Sequence, residues 1–137
     1  MRLGRYDGAL KDWDRAIEMD DGHHQLELRI KRASNLLNVK DPVRATADAA
    51  AIAESSSSTA GDLYNAACVY SLCVQLSRDD ATRADVWGAR AVVLIRQAVA
   101  RGYKDIARIK THTDLESLRS REDFQQLIKE MEAGPDK

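Results

Sequence analysis

Histidine and cysteine are the residue types in this chain that could bind a metal ion or act as nucleophiles. His23 and His24 are adjacent, and His112 is far from them in the sequence. Zinc sites need three or four ligands in a tight cluster; this spacing does not supply one, so we expect the histidines on surface loops. Cys68 and Cys73 would point about 140° apart on a helix, which keeps them from pairing or sharing a metal. We predict that both cysteines are buried as small apolar side chains.

Two pairs of neighbouring aspartates, Asp20–Asp21 and Asp79–Asp80, are the remaining candidates for acid/base chemistry. Both pairs stand beside predicted helix ends, where aspartate caps the helix and interacts favourably with its dipole. No serine, cysteine or lysine lies in a recognisable nucleophile motif. The sequence therefore predicts no catalytic residue, no metal, no cofactor and no enzyme activity.

The composition is typical of a globular protein rich in helix-forming residues. Of the 137 residues, 44% are hydrophobic and 31% are charged, with only 2 prolines. Helix formers dominate and β-branched runs are rare, so an all-α fold is expected. The net charge of −1 lacks the basic excess of most nucleic-acid binders. No apolar run is long enough to span a membrane, and no signal peptide is recognisable, so we expect a cytoplasmic protein.

Small and aromatic residues recur at helical spacing and divide the chain into repeated units. Ala9, Trp13 and Ala16 share one face of the first predicted helix. The same frame places Ala33 in one helix and Ala45 in the next, where small side chains let paired helices approach closely. The frame predicts one domain over 1–137, made of the second helix of a truncated repeat (1–23), a complete repeat (26–59), a second repeat (60–101) and C-terminal capping helices (102–132).

The second repeat is longer than the first. Its small core residues Ala67 and Ala91 are 91 − 67 = 24 positions apart, whereas Ala33 and Ala45 are 45 − 33 = 12 positions apart. We expect the additional residues, around 77–88, to form an extended loop between the two helices or to lengthen the helix ends beside it.

Several residues mark where helices begin and end. Thr59 and Asp62 have the spacing of a capping box. Asp41-Pro42 predicts the start of a helix, because proline is well tolerated in the first helical turn. Gly102 follows a predicted helix and is typical of a C-terminal cap.

The last part of the chain lacks the repeat frame but keeps apolar residues at helical spacing. Ile106 and Ile109 predict a short helix, Leu115 and Leu118 a turn or short helix, and the stripe 124–131 a final helix. A solenoid requires an end unit that buries one face and exposes the other. These helices are therefore interpreted as a C-terminal cap.

The segment from Asp62 to Tyr70 resembles the tetratricopeptide repeat (TPR) family, in a variant found near the C-terminal ends of large bacterial multidomain proteins, many of them serine/threonine protein kinases. The pattern continues at Gly102-Tyr103 and over 114–124. The unit 26–59 has 59 − 26 + 1 = 34 residues, the length of a TPR. The resemblance implies an α-solenoid of antiparallel helix pairs, a TPR-like right-handed superhelix that serves protein–protein interaction. No kinase motif occurs in these residues.

The TPR resemblance also implies where a peptide or protein partner would bind. In this family the first helix of each repeat lines a concave groove. The inward positions of the two repeats are Glu27, Ile30, Lys31, Ser34, Leu37, Tyr64, Asn65, Cys68 and Ser71. The mixture of polar, apolar and aromatic side chains suits a peptide groove. Ile30 and Ser34 replace the lysine and asparagine of the carboxylate clamp found in some TPRs, so chaperone-tail binding is not predicted.

Two other interpretations remain open at this point. The chain is alternatively a purely structural cap or oligomerisation segment, in which its own C-terminal helix would fill the groove. Because the first repeat lacks its partner helix, we also expect self-association through one apolar face, formed by Tyr6, Leu10, Trp13 and Ile17. Trp87 is expected to pack within the second repeat or to serve as an exposed binding anchor.

Overall fold

All regular secondary structure in the described part of the chain is helical. The computed structural model describes residues 23–55, 58–77 and 79–133. In chain order the elements are α1 (His23–Asn38), α2 (Pro42–Glu54), α3 (Ala60–Leu76), α4 (Ala81–Ala100), α5 (Ile106–Thr111), a 3-10 helix (Thr113–Leu118) and α6 (Glu122–Ala133). The all-α prediction is confirmed for these residues, and none of the described helices is both long and apolar enough to cross a bilayer. The predicted helix of the truncated repeat lies outside the described residues.

Local sequence signals explain where α2 and α3 begin. Pro42 occupies the first turn of α2, and the Asp41 carboxylate accepts a hydrogen bond from the Arg44 backbone N–H at 3.3 Å. Thr59 and Asp62 form the reciprocal capping box at the start of α3, with bonds of 2.9 and 3.1 Å. These contacts satisfy backbone donors that a helix start leaves unpaired.

Four long helices form two pairs that lie side by side. α1 pairs with α2 and α3 with α4 through short connections, while α3 also contacts both α2 and α1. Alanines at the contacts have no exposed surface and allow the helix axes to approach closely; they are Ala33, Ala45, Ala49, Ala67, Ala91 and Ala98. The repeat frame therefore placed small residues correctly at the helix–helix contacts.

The additional residues of the second pair lengthen its helices. α3 ends at Leu76 and α4 begins at Ala81, so the additional residues lengthen the helix ends, which was one of the two alternatives, and the extended inter-helix loop is corrected to a short connection. α3 has 17 residues and α4 has 20, against 16 and 13 in the first pair. The physical reason is that the Asp80 carboxylate caps α4 by accepting the Arg83 N–H at 3.1 Å, and alanine and arginine then favour helix.

The C-terminal elements cover one face of the second pair. The 3-10 helix packs mainly on α3, and α6 packs on α4 and α5. Ile109, Leu115 and Leu118 have no exposed surface, and Phe124 and Leu127 are almost fully buried. The capping helices expected over 102–132 therefore bury their apolar residues against the preceding helices.

Replacing Gly102 by alanine should destabilise the protein by about 1–2 kcal/mol, because an L side chain is strained at positive φ. Gly102 has a φ of 110° and ends α4, where the Tyr103 N–H donates to the Ala98 carbonyl at 3.0 Å. A Cβ at Gly102 would meet no atom within 4 Å, so backbone strain alone causes the loss. Gly61→Ala is the control: its Cβ would make only an ordinary contact of 3.7 Å with Thr59. Urea unfolding should show a loss for Gly102→Ala alone, and equal losses would refute this explanation.

Candidate functional site

The inward positions of α1 remain accessible. Glu27, Lys31 and Ser34 are exposed, while Ile30 and Leu37 are half-buried against the core. The α1 side therefore presents charged and polar groups around two partly accessible apolar side chains.

The corresponding positions of α3 are covered by residues 103–119, called the C-terminal segment below. Tyr64 is 2% exposed, Cys68 is 7% exposed and Ser71 is fully buried, and only Asn65 of this set is exposed. Tyr103 and His112 lie against Tyr64, His112 also contacts Cys68, and the 3-10 helix packs along α3 with Ser117 against Ser71. Tyr64, Cys68 and Ser71 are therefore inaccessible to a peptide, which corrects the expectation of an open groove at α3.

Hydrogen bonds fix the covering segment in place. The Ser117 hydroxyl donates to the Ser71 carbonyl at 2.9 Å and lies 2.9 Å from the Ser71 hydroxyl oxygen. The Arg119 guanidinium donates to the carbonyls of Lys110 and His112 at 3.0 and 2.8 Å. The segment is thus joined to α3 and held in its own turn by specific polar contacts as well as by apolar burial.

Tyr64 is the centre of an aromatic cluster between α3 and the C-terminal segment. Its ring stacks on Tyr103 at 4.5 Å between centroids, and the His112 ring lies 5.9 Å away on a nearly parallel plane. The Tyr64 hydroxyl is hydrogen-bonded to His112 Nδ1 at 3.0 Å. Burial raises the pKa of Tyr64 above its ordinary value. His112 is therefore a half-buried contact residue, which corrects its expected place on a free surface loop.

Cys68, His112 and Asp114 meet at the same junction. The Cys68 sulfur lies 3.7 Å from His112 Nδ1, and an Asp114 carboxylate oxygen lies 3.6 Å from His112 Nε2. One potential ligand atom from each residue lies within 4.8 Å of the other two. The arrangement superficially resembles a nucleophile with its base, but burial, followed by the nearby Asp114 charge, raises the pKa of Cys68 to about 12. A protonated, buried thiol is a poor nucleophile, so this geometry does not favour thiol catalysis.

The other residues with chemical potential have structural surroundings. Cys73 is fully buried, as predicted, and burial raises the pKa of its thiol to about 12. Asp80 caps α4, as expected for an aspartate beside a helix end. His23 and His24 form the first residues of α1, which corrects their placement on a loop. The pair Asp20–Asp21 and the proposed self-association residues Tyr6, Leu10, Trp13 and Ile17 lie outside the described residues.

Asp48 is a buried carboxylate that the sequence interpretation missed. It is 1% exposed on α2, and Arg29 and Arg32 of α1 both donate hydrogen bonds to it. A charge inside an alanine-rich interface requires an opposite charge with good hydrogen-bond geometry. The available signal was an aspartate in the middle of the small-residue stripe of α2, opposite two arginines that are three positions apart.

An apolar groove of about 610 Å³ lies between α2 and α4. Val43, Val86 and Val93 on its rim are exposed, and Trp87 is half-buried. The Arg83 guanidinium lies 4.7 Å from the Trp87 ring centroid. Trp87 therefore combines packing with partial accessibility, the two alternatives that the sequence left open.

Comparison with protein-family models, with curated proteins and with solved structures finds no match for this chain. Its function is therefore inferred from the residues and their geometry.

Proposed function

We propose that this chain is a protein–protein interaction module of TPR type, in which stacked helix pairs form a solenoid and the inward side of α1 binds a partner segment. No catalytic role is proposed. One observation carries this proposal: equivalent inward positions are accessible on α1 but covered on α3. Within the described residues, the same type of helix surface therefore accepts a short helical segment on α3 and stays accessible on α1.

The covering of α3 indicates what kind of segment such a surface accepts. The 3-10 helix buries Leu115 and Leu118, three positions apart, and Ser117 forms the polar contact between them. On α1 the half-buried Ile30 and Leu37 correspond to Tyr64 and Ser71 of α3 in the repeat frame. We therefore expect the partner to present one helical turn with two apolar residues and an intervening polar residue.

Selection from a displayed peptide library against the whole chain tests this function. Selected peptides should bind in a manner that depends on α1, and Ser34→Arg should weaken them by about tenfold or more, because the new side chain occupies the inward surface. Ser34 is exposed, so the variant is expected to fold normally. Calorimetry measures the affinity and circular dichroism verifies the fold.

Val93→Asp is the matched control, because Val93 is also exposed but lies in the groove between α2 and α4, whose lining contains no residue of α1. It should leave peptide affinity unchanged. Selected peptides that lose affinity with Val93→Asp but not with Ser34→Arg would reject α1 as the binding surface. A library that yields no binding peptide would favour the second function described next.

The second candidate is a structural cap that ends a helical stack and has no ligand of its own. Burial of Tyr64, Cys68 and Ser71 by the C-terminal segment supports it, because a self-filled groove is the feature that distinguishes a cap from a binding repeat. In that case the segment stabilises the last helix pair and shields its apolar surface from water.

A further inference from the structure

The junction between α3 and the C-terminal segment brings together three side chains that bind metals in other proteins. Cys68 comes from α3, His112 follows the last residue of α5, and Asp114 lies in the first turn of the 3-10 helix. One ligand atom from each residue lies within 4.8 Å of the other two. The three groups therefore converge although His112 and Asp114 are far from Cys68 in sequence.

The separation of sulfur and nitrogen matches a tetrahedral metal site. Zinc–sulfur bonds are about 2.3 Å long and zinc–nitrogen bonds about 2.0–2.1 Å. In tetrahedral geometry these lengths place the sulfur and the nitrogen about 3.6 Å apart. The observed distance from Cys68 Sγ to His112 Nδ1 is 3.7 Å. The Tyr64 hydroxyl is hydrogen-bonded to this Nδ1 at 3.0 Å, so a metal bound to Nδ1 would replace that hydrogen bond.

Asp114 has to rotate to complete the set. Its carboxylate now faces His112 Nε2 at 3.6 Å, and its side chain is 37% exposed, so it has room to turn towards Nδ1 and the sulfur. A water molecule would fill the fourth position, as in zinc sites with three protein ligands.

The chemistry of the donor set decides the class of metal. Binding of a transition metal would displace the Cys68 thiol proton to water. The resulting thiolate and the imidazole favour zinc and similar transition metals, whereas magnesium and calcium prefer sites made of oxygen ligands alone. We propose that Cys68, His112 and Asp114 form a zinc-binding site that joins the C-terminal segment to α3. This site is independent of peptide binding on α1.

Cobalt and zinc titrations of the whole chain test this site. Co²⁺ should produce a thiolate-to-cobalt charge-transfer absorption with one ion per chain, and Zn²⁺ should displace it. Zn²⁺ should also raise the unfolding temperature, because a ligand that binds only the folded state stabilises it. Cys68→Ser should abolish the charge-transfer band and the thermal shift.

Two further variants distinguish loss of the metal site from loss of the fold. Asp114→Asn changes a partly exposed residue and should weaken Zn²⁺ binding by about tenfold or more while circular dichroism remains unchanged. Cys73→Ser removes the other buried thiol, whose sulfur lies 3.7 Å from the Pro42 carbonyl, and should retain full binding.

The neighbouring histidines His23 and His24 are the main competing metal site in the sequence. Zn²⁺ binding that persists in Cys68→Ser and disappears in a His23→Ala/His24→Ala variant would overturn the proposal. Absence of the charge-transfer band in the wild-type chain would overturn it as well.

Discussion

Replacing Leu115 by alanine should release the C-terminal segment from α3 and expose Cys68 to thiol reagents, while Cys73 stays protected. Leu115 has no exposed surface and lies in the middle of the 3-10 helix that covers α3. The cavity left by such a leucine costs about 2–5 kcal/mol. The loss falls on a short segment, so we expect local opening of that segment to precede unfolding of the helix pairs.

The two cysteines report this opening because different elements cover them. Cys68 faces His112 of the C-terminal segment, whereas Cys73 contacts the Pro42 carbonyl at the start of α2. In the wild-type chain both thiols should react slowly, since burial raises each pKa to about 12 and restricts access. Alkylation followed by mass spectrometry at each cysteine should show faster modification of Cys68 alone in Leu115→Ala.

Met131→Ala is a suitable comparison, because Met131 is a half-buried residue of α6 beside Val99 and Leu127. It removes a side chain of similar size without touching the 3-10 helix, so it should not accelerate Cys68 selectively. Equal acceleration of both cysteines in Leu115→Ala would mean that the protein unfolds as a whole, and the idea of a separable cap would then be wrong.

Periodicity and helix-capping residues were sufficient to predict much of this fold. Among the residues that the structure describes, the alanines of the repeat frame lie at the helix contacts, and the capping box at Thr59 and the end of α4 at Gly102 have the expected geometry. These features depend on local spacing within one helix or one turn, which a single sequence displays directly.

The surface that the C-terminal segment covers was not predictable in the same way. Leu115 and Leu118 showed that the segment was apolar, but their spacing does not identify which helix they contact. Both an open groove and a self-filled one agree with the same positions on α3. The Cys68–His112 contact joins residues 44 positions apart, so it depends on this packing choice and has no local signature.

The longer helices of the second pair were difficult to predict from the sequence for a different reason. The residues between Ser77 and Gly88 contain aspartates, a threonine and a glycine, which also suit a loop. The Asp80 cap and the burial of Gly88 against the Arg121 side chain place most of them in α4. A local cap and a tertiary contact therefore act together to favour the helix over the loop, two outcomes that the residue types alone left open.

Replacing Asp48 by alanine should cost about 3 kcal/mol or more, because it removes the buried carboxylate to which Arg29 and Arg32 both donate. Arg29 donates to Asp48 at 3.2 Å, and Arg32 donates to both carboxylate oxygens. The Arg29 and Arg32 side chains are 23% and 18% exposed, so water can solvate their charges only in part. Urea unfolding of the variant should show a much lower midpoint.

The exposed pair Arg96–Glu130 provides the control that distinguishes loss of the buried Asp48 network from a general effect of removing a charge. Its side chains are 40% and 48% exposed, and exposed pairs contribute little to stability. Glu130→Ala should therefore leave the unfolding midpoint nearly unchanged. An Asp48→Ala loss as small as that of Glu130→Ala would show that the α1–α2 interface does not depend on the network.

A double-mutant cycle between Asp48 and Arg32 assigns the loss to their contact. Side chains that share hydrogen bonds in one network couple by about 0.5–3 kcal/mol, so Arg32→Ala should cost much less in the Asp48→Ala background than in the wild-type chain. Moderate salt should reduce the coupling only slightly, because buried charges are poorly screened. Since Arg32 and Asp48 join α1 to α2, strong coupling would also mean that the ion pair helps to position the α1 surface proposed to bind a partner.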